Sequence, residues 1–284
     1  MIWLIGNKGM LGTEVETLLK NEGLPYIATD QEIDISNIDE LQKFAQSKPI
    51  NWIVNCAAYT AVDKAEDEPE LAFKINADGP QNIAAIAKQK GAKLIHISTD
   101  YVFDGTKKDA YTETDAPNPL GVYGASKLLG EDNIKKTLNE YFILRTAWLY
   151  GKYGNNFVYT MLRLFKERDE IRVVGDQYGS PTYAPDLAVA ILAILHCNSD
   201  AYGIYHFTNE GKITWYDFAR EIHRICNLTQ NTKLKTQNLR NILSKDYPIK
   251  AKRPQNSCLS KKNIEKTFNI NIRPWQNGLN DFLK

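Results

Sequence analysis

The stretch IWLIGNKGMLG, residues 2–12, decides how this chain folds. Its run IWLI (2–5) carries no polar alternation, the pattern of a parallel strand buried on both faces. Gly6, Gly9 and Gly12 follow at G-x-x-G-x-x-G spacing, and a helical pattern runs from Gly9 to about Asn21. Glycines at a strand-to-helix turn permit a sharp reversal and let backbone N–H groups approach a pyrophosphate at the helix N-terminus. Three glycines alone are common in turns. Placed directly between an apolar strand and a helix, they point to a dinucleotide site.

Outward from this turn, PYIATD (25–30), WIVNCA (52–57), KLIHIS (93–98) and YFILRTAWLY (141–150) repeat the strand signal. Helical patterns lie between them at about 37–47, at 69–90 with an expected break at Gly79-Pro80, and from Tyr123 to Leu138. The alternation predicts an α/β fold built on a Rossmann-like doubly wound parallel sheet. After Gly151 the rhythm loosens. Helices are expected at 155–168, 185–196 and 214–227, and short strands near 171–174 and 203–207. A polar, irregular stretch covers 229–258, and a last helix follows Pro274. The expected organisation is an NAD(P)-binding Rossmann-like domain over 1–150 and a smaller α/β, mainly substrate-binding lobe over 151–284. Some segments of the second half are expected to return to the first domain.

The 284 residues carry 35 basic and 34 acidic side chains, a net charge of +1. Such balance gives no electrostatic reason to bind nucleic acid or an anionic membrane. No stretch reaches the roughly 18 apolar residues of a membrane span. The opening lacks a basic region and breaks at Gly6, so it reads as a strand and not a secretion signal. Cys56, Cys197, Cys226 and Cys258 are scattered without a CxxC or His-containing metal pattern. Reduced, mostly buried thiols in a cytoplasmic protein acting on small molecules are the expectation.

The chemistry centres on GVYGASKLLGED. Tyr123 and Lys127, four residues apart, share one face of a helix. Lys127 can lower the phenol pKa and hold a nicotinamide ribose, and Thr99, 24 residues upstream at a strand end, can bond a substrate carbonyl. These are the parts needed to reduce a carbonyl with NADH or NADPH. Tyr-x-x-x-Lys is weak alone; its place and partners give it weight. Asp30, 18 residues past Gly12, can accept the adenosine ribose hydroxyls, and Asp34 and Ile35 can flank the adenine. No cation closely follows Asp30 to meet a 2′-phosphate, which tilts the expectation toward NADH. Ala57 and Ala58 are small enough to let the cofactor lie against backbone. His96 reads as a packed strand histidine, while Glu113, Asp115 and Glu131 read as solvation or capping residues. Trp148 can stack on a sugar or base, or simply pack, and Arg253 can fork onto a diphosphate.

The segments GNKGMLG, NCAAYTAVDKAE, STDYVFDG, VYGASKLLGE, RTAWLYG, NNF, DQYGSPT, TWYDFA and RPQNS stand in order from residue 6 to residue 257. Together they make the chain resemble the dTDP-4-dehydrorhamnose reductases, extended short-chain dehydrogenases/reductases of deoxysugar biosynthesis. The resemblance implies NAD(P)H-dependent reduction of the 4-keto group of dTDP-4-dehydro-β-L-rhamnose, with Thr99, Tyr123 and Lys127 as the catalytic trio. It implies cofactor contacts at Gly9, Met10, Leu11, Asp30, Asp34, Ile35, Ala57, Ala58 and Tyr59, and nucleotide-sugar contacts at Thr99, Asp100 and Trp148. A reductase of another nucleotide-4-keto-sugar, or a non-catalytic nucleotide-binding regulatory subunit, are the alternatives. Some family members form a homodimer through magnesium held by acidic side chains. Glu14 matches one such position, but the later ones here read Pro185-Asp186 and Asp281, so the match to that metal site is partial.

Overall fold

Alternate residues of the first strand bury into different cores. Ile2 and Leu4 pack with Leu11, Val15, Leu187 and Ile191, whereas Trp3 and Ile5 pack with Leu41, Ile83 and Ala84. A strand covered on both faces must have helices on each side. The computed structural model describes residues 1–197, 199–229, 234–248 and 250–284. In chain order it runs β1 (Ile2–Ile5), α1 (Met10–Asn21), β2 (Tyr26–Thr29), α2 (Ile38–Ala45), β3 (Trp52–Asn55), α3 (Val62–Ala65), α4 (Pro69–Phe73), α5 (Gly79–Lys90), β4 (Lys93–Thr99), α6 (Val122–Thr137) and β5 (Tyr141–Thr146). The second half gives β6 (Leu149–Tyr150), α7 (Phe157–Glu167), β7 (Glu170–Val174), β8 (Tyr178–Gly179), β9 (Thr182–Tyr183), α8 (Ala184–Cys197), β10 (Gly203–His206), β11 (Ile213–Thr214), α9 (Trp215–Thr229), β12 (Asn238–Ile242), α10 (Lys262–Phe268) and α11 (Trp275–Leu283).

Six strands form one parallel sheet in the order β10-β5-β4-β3-β1-β2. The order reverses between β1 and β3, and the crevice beyond the carboxyl ends of strands at such a point is where these sheets bind ligands. β10, expected as a short strand of the second half, is the sixth strand of this sheet. α8 packs on α1 over the same core. α10 joins that core through Ile264 and Phe268, while α7, β7, α9 and α11 gather around a separate cluster of Val158, Phe165, Phe218, Ile222 and Trp275.

Three local readings differ from expectation. The helical stretch at 69–90 does not end at Gly79-Pro80. Lys74–Asp78 widen into a π turn, which accommodates the proline near the start of α5 without ending the helical run. YFILRTAWLY is not one strand, because Trp148 takes a left-handed backbone (φ +47°) between β5 and β6. Within the polar stretch 229–258, β12 pairs in parallel with β7; residues 230–233 and 249 of that stretch lie outside the described residues.

Candidate active site

α6 starts where it does because Gly121 holds extended backbone before it, and Glu66 accepts the Val122 N–H at 2.8 Å. Tyr123 therefore falls in the first helical turn and Lys127 in the next, on one face. One turn further, buried Glu131 accepts Arg145 of β5 through Nε at 2.9 Å and Nη2 at 2.7 Å, and Ser98 of β4 donates to it at 2.5 Å. Removing either member of such a pair strands a buried charge, at about 3–5 kcal/mol. The pair fixes the register of α6 against the sheet, and with it the placement of Tyr123 and Lys127. Thr99 ends β4, accepts the Tyr101 N–H at 3.2 Å and donates to Asp100 at 3.0 Å.

These groups meet on the wall of a cavity of about 910 Å³ at the sheet's switch point. Burial pushes the Tyr123 phenol up to about 12, opposed by a hydrogen bond from Thr99 and reinforced by Asp100. The lowering by Lys127 expected from the spacing is not what governs this phenol: burial does. Burial also brings Lys127 down to about 8, with Glu131 and Cys56 pulling the other way. Asp100 rises to about 6 for the same reason, and its Oδ2 is buried without a partner. At neutral pH the wall thus offers a protonated phenol beside an amine that holds its proton loosely. His96, read as a packed strand histidine, is fully buried between Asn55 and Lys127.

The glycine turn sits on the opposite wall. Gly6 has φ +80°, a left-handed conformation, and a Cβ there would lie 2.7 Å from the Ala57 amide nitrogen. A Cβ on Gly12 would lie 2.0 Å from the Gly6 carbonyl oxygen. Both glycines therefore press strand, turn and helix together behind the cavity. Gly9, the N-cap of α1, meets only that same oxygen at 3.4 Å and lines the cavity with Met10 and Leu11. No acidic residue stands in the first turn of α1, so its N–H groups and positive dipole end face the opening uncompensated. These residues fit a pyrophosphate-linked dinucleotide.

Ala58, Thr99, Asp100, Trp148 and Arg253 join the same cavity wall. Ala57 stands behind it, its N–H donated to Asn55 at 3.0 Å. Asp30 follows β2, and its N–H donates to Glu32, which pairs with Lys8 at 3.2 Å. Asp34 accepts from Ser36 and pairs with Lys74; Ile35 is buried against Gly79. The Tyr59 hydroxyl donates to Glu68 at 2.8 Å. Asp30, Asp34, Ile35 and Tyr59 do not line the cavity.

Three residues escaped the sequence reading. Trp215 stacks on Trp148 with ring centroids 3.5 Å apart, and a Cβ on Gly179 would touch the Trp148 ring at 2.5 Å. Asp63 holds Arg253 at 2.7 Å. Lys8 precedes Asp30 in the chain, so the cations that follow Asp30 in sequence do not include it, yet it pairs with Glu32 beside that residue. The segments NCAAYTAVDKAE and TWYDFA, which contain Asp63 and Trp215, held the available signal.

For magnesium the residues present do not fit. Asp186 and Asp281 converge on the guanidinium of Arg273 at 2.8 and 2.6 Å, and Asp281 also takes Lys284 at 2.9 Å, so two cations already meet the two carboxylates and no step is derived through a metal. Among the described residues no group of three or more His, Cys, Asp or Glu is placed to hold a metal ion, and no helix is long and apolar enough to cross a membrane.

With such a cavity at the switch point of a parallel sheet, the molecule is an NAD(P)H-dependent oxidoreductase of the short-chain dehydrogenase/reductase type. The chain belongs to the RmlD substrate binding domain family, whose model matches residues 1–284. It is 43% identical over 282 residues to the dTDP-4-dehydrorhamnose reductase of Aggregatibacter actinomycetemcomitans, covering 97% of this chain and 96% of that one. A solved dTDP-4-dehydrorhamnose reductase from Clostridium acetobutylicum superposes with a TM-score of 0.93 at 43% identity, covering 99% of this chain and 98% of that one. That of Bacillus anthracis, in complex with NADP, superposes with a TM-score of 0.92 at 41% identity, covering 99% and 97%.

Proposed function

We propose that this chain reduces the 4-keto group of dTDP-4-dehydro-β-L-rhamnose to dTDP-β-L-rhamnose. The observation that carries the reading is the convergence of Thr99, Tyr123 and Lys127 with the N-terminus of α1 on one cavity. A bound NADPH or NADH supplies the hydride. Tyr123 gives its proton to the oxygen that becomes the C4 hydroxyl, and its high pKa keeps that proton in place until negative charge develops there. Thr99 orients the carbonyl. Lys127 compensates the phenolate left behind and holds the ribose. Asp100 and Trp148 meet the sugar, and Arg253 neutralises the diphosphate.

In this reading residues 1–150 hold the dinucleotide, through Gly6, Gly9, Met10, Leu11 and Gly12 at the phosphates, Ala57, Ala58 and Tyr59 beside them, and Asp30, Asp34 and Ile35 at the adenosine. Residues 151–284 mainly hold the nucleotide-sugar. Lys8, at the Asp30 edge, is assigned to a 2′-phosphate, which reverses the earlier tilt toward NADH and agrees with the NADP on the Bacillus anthracis relative. The setting is cytoplasmic, and a homodimer is the assembly to test by sedimentation. Following NADPH and NADH oxidation with enzymatically generated dTDP-4-keto-6-deoxysugar, beside its UDP and GDP counterparts, tests the function. Turnover with the dTDP sugar supports it; turnover with none favours a regulatory subunit.

A further inference from the structure

Two buried polar side chains behind the cavity have no part in the chemistry so far. Asn55 ends β3 and His96 lies within β4, each with no exposed surface. The Ala57 N–H donates to Asn55 Oδ1 at 3.0 Å. That bond fixes the amide, because its oxygen must face Ala57. Asn55 Nδ2 then faces His96 Nδ1 at 3.0 Å. An amide nitrogen only donates, so Nδ1 accepts and carries no proton. Burial, with the Lys127 charge beside it, holds the imidazole pKa well below its ordinary value, so the ring is neutral. Its single proton is therefore on Nε2.

Nε2 stands 3.4 Å from Lys127 Nζ, which also donates to the Ile97 carbonyl at 2.7 Å. An N–H aimed at an ammonium sets donor against donor. Aimed at a neutral amine, it makes a hydrogen bond. Turning the imidazole proton to Nδ1 would relieve the first case only by opposing the Asn55 amide, and flipping that amide would orphan the Ala57 N–H. The network is polarised in one direction.

We propose that Ala57, Asn55 and His96 form a hydrogen-bond relay whose terminal N–H favours the neutral amine of Lys127, so that the two buried side chains set how firmly the lysine holds its proton. Asn55 and His96 are positioning residues that act through Lys127. The inference rests on the roles proposed above for Tyr123 and Lys127. When Nζ gives up its proton, the lone pair left on it accepts the His96 Nε2–H. The other groups facing Lys127 are Tyr123 and Glu131 on its own helix and Cys56 after β3. Glu131 is committed to Arg145 of β5, and the Cys56 thiol, pushed up to about 12, stays neutral.

The test is a nitrogen-15 spectrum of the histidine-labelled protein, with His96 assigned among the four histidines by its loss in His96→Gln, alongside a carbon-13 titration of Lys127. Expected for the unmodified chain is protonated Nε2 and bare Nδ1 throughout the titration. In Asn55→Asp an acceptor replaces the donor opposite Nδ1, so the proton should move there and leave bare Nε2 facing Lys127. The Lys127 titration should then rise by about one pH unit, a tenfold gain in proton affinity, and the basic limb of kcat/KM should rise with it. A Nδ1–H ring in the unmodified chain overturns the proposal, as does a moved proton that leaves Lys127 unshifted. A Lys127 shift without the tautomer change is the added charge alone and also overturns it. If Asn55→Asp does not fold, the unmodified spectrum still decides. If the protein turns over no keto-sugar, the spectra still read the relay while the proposed function falls.

Discussion

Arg253 grips Asp63 across 190 residues of chain, its Nη2 donating to Oδ2 at 2.7 Å and its Nη1 to Oδ1 at 3.1 Å. The Ala251 N–H adds a third bond to the same carboxylate at 3.2 Å. Close by, Gly105 turns with φ +81°, and a Cβ there would lie 2.6 Å from the Pro254 side chain. The segment carrying Arg253 is thus latched to the first half of the chain at the cavity wall.

A diphosphate would compete with Asp63 for that guanidinium. Arg253→Ala should raise KM for the nucleotide-sugar about tenfold or more, equivalent to about 1.4 kcal/mol, with the cofactor Kd nearly unchanged. Arg253→Lys should also be impaired, because an ammonium cannot make a two-point fork. Equal weakening of cofactor binding, seen by titration of protein fluorescence, would assign the arginine to the latch alone.

Tyr123→Phe removes one hydroxyl and little volume, so folding and cofactor binding should survive. Without an acid in reach, kcat should drop about 10²–10⁴-fold. Single-turnover kinetics limited by hydride transfer make the check. A variant keeping more than about half of the parent rate would remove Tyr123 from the chemistry.

The pH profile should report Lys127. Its pKa is lowered to about 8 in the folded chain by burial, and in the proposed mechanism the protonated form serves reduction. Activity should therefore be sustained below that value and fall as pH rises through it. Lys127→Met should lose both kcat and cofactor affinity. A kcat/KM profile level to well above pH 8 would show that the ammonium is dispensable.

Lys8 and Glu32 are both exposed at the Asp30 edge, where an ion pair itself stabilises little. Lys8→Ala should cost about tenfold in kcat/KM with NADPH and leave NADH nearly untouched. Asp30→Ala should move preference further toward NADPH. Parallel assays with both cofactors decide, and equal losses with each would refute the 2′-phosphate assignment.

Where local pattern suffices, the sequence is a good guide: the apolar runs of β1, β3 and β4 and the glycine turn needed nothing beyond their own periodicity. Trp148 is different. A tryptophan gives no turn signal, and its left-handed backbone is maintained by Trp215 on one face of the ring and Gly179 near it, both far along the chain. β12 carries no strand signal of its own because its residues are mostly exposed and its partner β7 supplies the order. The acid, amine and hydroxyl of the site were visible as a spacing. Their electrostatics were not, since the high pKa of Tyr123 comes from burial that no local pattern encodes.

β10 lies against β5 through Phe142 to Arg145, and α8 covers the core that Phe142 and Leu144 enter. A fragment ending at residue 150 would leave β5, still paired to β4, as an open edge with its outward amides and carbonyls unpaired and an apolar face bare, the arrangement that invites aggregation. The two halves are interlocked, not serial. Cutting the gene there would yield pieces that must be made together to find one another, and an exchange of second halves between relatives would have to carry the last strand of the first half's sheet with it.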